Sequence, residues 1–117
     1  MISESQFRFG SEELGLLSSV LNEVLNGFSV PDFDRTIGMK RADVENLLKH
    51  LHALGRGATM LDVDQTRAFR NALFETIREL GIEEFQTRTG YDFSWGNDSL
   101  KRLDRLLGSG DVHDKAI

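Results

Sequence analysis

At 117 residues the chain is long enough for one domain with its own core and short for two. Hydrophobic residues at 39%, charged residues at 28% and eight phenylalanines make the composition globular and exclude a disordered chain. A formal charge of -5 argues against general affinity for nucleic acid or anionic membranes, and the absence of cysteine excludes disulfides, thiolate metal sites and cysteine nucleophiles.

Residues 1–10 have no basic region leading into an apolar run, and nowhere do about 18 apolar residues follow one another, so the expectation is a cytoplasmic protein without membrane association. Phe7-Arg8-Phe9 alternates like a short strand. Gly10, Ser11, Glu12 and Glu13 then supply a turn, a cap and first-turn acids for a helix over about 11–26. Leu14, Leu17, Val20, Leu21, Val24, Leu25 and Phe28 recur at helical steps, with Gly27 placed as the cap. Pro31 blocks continuation, and DFDRTIG, residues 32–38, follows as a turn or single helical turn ending at Gly38.

A second helix over about 41–54 puts Val44, Leu47, Leu48, Leu51 and Leu54 on one side. Gly55-Arg56-Gly57 connects it to a possible strand at 58–61, and Asp62 is placed to cap a third helix over about 63–80, ended by Gly81. A fourth helix is expected over about 97–107, preceded by an aromatic loop at 91–96, and a polar, flexible tail at 109–117.

The pattern repeats. An offset of 52 sets Leu21 on Leu73, Glu23 on Glu75, Asp32 on Glu84, Phe33 on Phe85 and Gly38 on Gly90, and one extra residue near Trp95 and Gly96 extends the match to Leu107 and Gly108. The fold class expected is mainly α with minor β: an internally duplicated strand-helix-turn-helix, four helices around a short two-stranded antiparallel ribbon. Residues 1–108 then form a single domain of two repeats, about 6–55 and 58–108.

Function is less legible. Arg35 and Arg88 follow the repeated phenylalanines and could grip a partner's carboxylate or phosphate, or pair structurally with Glu23 and Glu75 across the helix-turn junction, with Thr36, Thr87 and Thr89 satisfying turn amides. Tyr91, Phe93 and Trp95 could anchor a protein interface or plug the core. Residues 33–51 also resemble a helix-turn-helix, which would place Lys40 and Arg41 near phosphates and Asn46 and Lys49 toward bases; Asp43, Glu45 and the overall acidity oppose that use.

His50 and His52 diverge by about 200° on a helix and cannot share a metal, and Asp62 with Asp64 lacks the rest of a calcium loop. No nucleophile elbow, phosphate loop or dinucleotide fingerprint is present, so no catalytic, cofactor or metal site is expected.

The segments LNEVLNG at 21–27, FDRTIG at 33–38, RELG at 78–81 and FQTRTG at 85–90 resemble a group of small uncharacterised bacterial proteins with a duplicated helix-turn-helix-like half. That resemblance implies no activity. The expectation is a non-catalytic bacterial interaction module that binds another protein, immunity-like in size and acidity, with homodimerisation open; the alternative is a small DNA-binding transcriptional regulator.

Overall fold

A computed structural model of the chain describes residues 6–55 and 57–108; the tail expected at 109–117 lies outside these residues. The order of elements is β1 (Gln6–Phe9), α1 (Ser11–Asn22), a π-helical turn (Glu23–Gly27), α2 (Phe33–Ile37), α3 (Arg41–Leu54), β2 (Thr59–Asp62), α4 (Val63–Thr89) and α5 (Phe93–Gly108). The mainly helical fold with a two-stranded antiparallel ribbon is therefore observed. Phe7 faces Leu61 and Phe9 faces Thr59 across the ribbon, so one surface of it is apolar and lies on the core, where Phe9 meets Phe69 edge-on at 5.7 Å.

α1 is the central helix. Its Glu13 carboxylate accepts from the Gly10 N–H at 3.1 Å, fixing the first turn, and Leu14, Leu16, Leu17, Val20 and Leu21 are all buried. It packs on α4 to one side and α3 to the other, while α4 also carries α5. α4 opens with a reciprocal cap: Asp62 Oδ1 accepts from the Gln65 N–H at 2.7 Å, and Gln65 Oε1 accepts from the Asp62 N–H at 3.0 Å. Buried Thr66, Thr76 and Thr89 each donate to the carbonyl four residues back at 2.7 Å, so their hydroxyls are satisfied within α4 and its cap residue Asp62.

Four local expectations need correction. Gly27 is not a left-handed cap: the last turn of the first helix widens, with the Phe28 N–H reaching the Glu23 carbonyl at 3.2 Å, and the chain leaves through extended Phe28. Gly81 breaks the third helix at φ 76 and ψ -174, but helix resumes at once, so residues 84–90 are not a turn. The aromatic loop is also helical from Phe93 onward, because Asp92 Oδ2 accepts from the Trp95 N–H at 3.2 Å and starts α5 earlier than its leucines indicate. Leu54 is 39% exposed rather than inside.

The two echoed segments make the same joint. Asp34 accepts from the Gly38 N–H on its carbonyl at 2.9 Å and from the Arg41 N–H on Oδ1 at 3.2 Å, closing α2 and opening α3 with one residue. Gln86 accepts from the Gly90 N–H on its carbonyl at 2.9 Å and from the Phe93 N–H on Oε1 at 2.9 Å, closing α4 and opening α5. Gly38 and Gly90 both take left-handed backbone, at φ 88 and 81.

Candidate functional site

The repeated arginines occupy different environments. Arg35 projects from α2 with its side chain 87% exposed and pairs with exposed Asp32, at 3.4 Å, a contact of about a few tenths of a kcal/mol. Arg88 reaches from the end of α4 to Glu23 Oε1 at 2.7 Å and to the Gly27 carbonyl at 3.1 Å, spanning the junction as expected of a structural arginine. Glu23 is 7% exposed, so this guanidinium neutralises a nearly buried carboxylate and also occupies a carbonyl at the negative end of the first helix. Of the two glutamates expected to pair with the repeated arginines, Glu23 takes Arg88, whereas Glu75 binds Arg78 at 2.6 Å, which raises the Arg78 pKa above its ordinary value, through that hydrogen bond first and the charges of Glu75 and Glu79 after it.

Of the α3 candidates, Arg41 is also held internally. Its guanidinium donates to the Leu25 carbonyl, lies 5.1 Å from the Phe33 ring centroid and comes within 3.9 Å of Glu45. Arg41 and Arg88 thus approach the end of the π-turn from α3 and α4, each satisfying a carbonyl that the helix leaves unbonded. Lys40 is exposed beside Arg41. Asn46 and Lys49 line separate grooves: Asn46 shares one with Asp43, Asp62 and Asp64, and Lys49 shares another with Glu45 and Leu48. The structure does not gather these four residues into a positive face.

The aromatic candidates divide into a structural and an open part. Phe93 meets buried Phe85 edge-on at 5.8 Å, and Gly96 passes so close that an added β-carbon would lie 2.7 Å from the Phe85 ring. Phe93 therefore closes the core. Tyr91 and Trp95 stack on each other at 5.4 Å, both half-buried, and border two adjoining grooves on the N-terminal turns of α1.

The larger groove, about 680 Å³, runs between α1 and the end of α3, with Leu14, Leu51 and Gly15 as its floor and Tyr91 as a wall. Leu54 stands at its edge, and Glu12 and His52 add a carboxylate and an imidazole to the Tyr91 phenol. Glu13, in the smaller groove beside Trp95, is already bound to Arg102, whose guanidinium lies over Phe9 at 5.4 Å. Glu12 is exposed and has no ion-pair partner among the described residues. Among the described residues, neither groove is lined by Lys or Arg.

Sequence patterns found Tyr91 and Trp95 but missed Glu12, Gly15, Leu51 and Leu54 as neighbours of one groove, because these residues come from elements far apart in the chain. One signal was available: Gly15 interrupts a strong helical pattern where alanine would favour the helix by about 1 kcal/mol, which points to a close approach at that position. Among the described residues no group of three or more His, Asp or Glu side chains could hold a metal ion, and no helix is long and apolar enough to cross a membrane. Comparison with protein-family models, with curated proteins and with solved structures gives no match.

Proposed function

We propose that the chain is a non-catalytic, cytoplasmic bacterial module that binds another protein where Tyr91, Trp95 and the ends of α1 and α3 meet. The observation that carries this reading is the stacked aromatic pair, half-buried at the wall of a groove that has a leucine floor and an exposed leucine at its edge. Aromatic residues held rigid beside an apolar depression are what anchors at protein interfaces require. An immunity-like role is supported by size and acidity, and the bacterial assignment rests on the resemblance of the repeated segments.

The scaffold is read as an internal duplication. The matched bonds of Asp34 and Gln86, at the offset of 52 that aligns their segments, support it, as does the pairing of Arg8 with Met60, the residue 52 positions later, within the ribbon. A regulator that binds DNA draws less support, since Arg41 is engaged internally and Asn46 shares its groove with three aspartates.

Affinity capture from a bacterial lysate with the full chain tests the reading. A bound protein lost on Ser18→Trp, which fills the groove, and kept by Asn46→Ala, on another face, supports it. If every protein captured is insensitive to Ser18→Trp, the groove is not the binding surface and the proposal fails.

A further inference from the structure

We infer that the groove between α1 and α3 receives a cationic amphipathic helix of the partner, with an apolar side chain over Leu14 and Leu51 and a Lys or Arg beside Glu12; this rests on the protein-binding reading above. Apart from Gly55 and Tyr91, the described residues that line the groove lie in α1 and α3, and none lies in a strand, so the groove offers no strand edge to extend. Side-chain insertion is the mode left, and the about 680 Å³ available, open to solvent at Leu54, suits a few side chains presented from a helix face.

Charge selects the occupant. Among the described residues, the formal charges lining the two grooves are the carboxylates of Glu12 and Glu13, of which Glu13 is neutralised by Arg102. A second copy of the chain would bring a net charge of -5 toward this surface. Residues 109–117 carry Asp111 and Asp114 against the single Lys115, so the tail has the wrong sign as well. A helix bearing Lys or Arg next to its leucines complements both the floor and Glu12.

Two fluorescein-labelled synthetic helices of about 18 residues, one of leucine and lysine and one of leucine and glutamate in the same amphipathic pattern, test this by anisotropy against the full chain. The leucine–lysine helix is expected to bind at least about tenfold tighter than its glutamate counterpart at low salt. Glu12→Lys, a surface change that leaves the core intact, is expected to weaken it by about two- to fivefold, the range of one exposed ion pair. Ser18→Trp is expected to abolish it.

Equal binding of the two helices, preference for the glutamate helix, no binding of either, or indifference to both substitutions would each overturn the assignment. If the helices fail while a cellular partner is still lost on Ser18→Trp, the binding-module reading stands and only the cationic helix falls. If capture itself is insensitive to Ser18→Trp, the underlying reading falls too.

Discussion

Tyr91 lies against Gly15 so closely that a β-carbon on Gly15 would stand 2.2 Å from the phenol oxygen. The missing side chain on α1 is what lets the aromatic pair close over that helix and wall the groove. Gly15→Ala therefore sets two effects against each other: helix propensity gains about 1 kcal/mol, while overpacking costs about 1–3 kcal/mol unless Tyr91 swings away. Since the clash falls on the far end of a half-buried side chain, stability should change by no more than about 1 kcal/mol. Trp95, the single tryptophan, should lose its stacked neighbour, and its emission should report that change. Unchanged emission would mean that the stack does not depend on Gly15.

The Glu23–Arg88 pair predicts a different response at Gly27. A β-carbon there would stand 2.1 Å from Glu23 Oε1 and 2.8 Å from Arg88 Nη2, and the nearly buried carboxylate has little room to yield. Gly27→Ala should cost about 1–3 kcal/mol in urea unfolding. Arg88→Met, which leaves Glu23 unneutralised, should cost about 2 kcal/mol, below the range for a fully buried pair because the Arg88 side chain is 36% exposed. Glu23→Leu with Arg88→Met should recover most of that loss. Strict additivity of the single changes would show that the two side chains do not act together.

How much of this was legible follows from where each signal resides. α3 begins and ends where the sequence places it, because Gly38, the Val44-Leu47-Leu51 stripe and Gly55 are all local signals. The 82–89 segment was not legible as helix: Gly81 does break the backbone, but Phe85 is fully buried against Phe93 and Gly96, a tertiary contact that outweighs the local stop. Leu54 follows the leucine pattern of α3 but extends past the elements that would cover it. The two arginines look equivalent in the echoed segments, yet at the offset of 52 Arg35 aligns with Thr87 and Arg88 with Thr36. Their unlike roles follow from that one-residue difference.

Gly81 makes a prediction of its own. Its φ of 76 and ψ of -174 lie in a region open essentially to glycine alone. Among the described residues no side chain stands near enough to clash with a β-carbon, so the cost of Gly81→Ala comes from the backbone and should be about 1–3 kcal/mol. Thermal unfolding measures it, and a neutral substitution would show that the break relaxes into continuous helix.

For the DNA-binding alternative, the expected outcome is negative. A labelled genomic DNA fragment should not shift at low salt, where phosphate contacts are strongest. Arg41→Ala should lower stability instead, by about 1–2 kcal/mol, because it frees the Leu25 carbonyl and uncovers Phe33. A shift that Lys40→Ala and Arg41→Ala together abolish would restore the alternative.

Site-specific photo-cross-linking in living cells tests the central claim most directly. A photoreactive residue is placed in turn at Leu54 on the groove edge, at Glu12 on its rim, and at Arg35 and Asn46 outside it. The account predicts one discrete protein adduct from positions 54 and 12 and none from 35 and 46. A discrete adduct from 35 or 46, with none from 54 and 12, would contradict it.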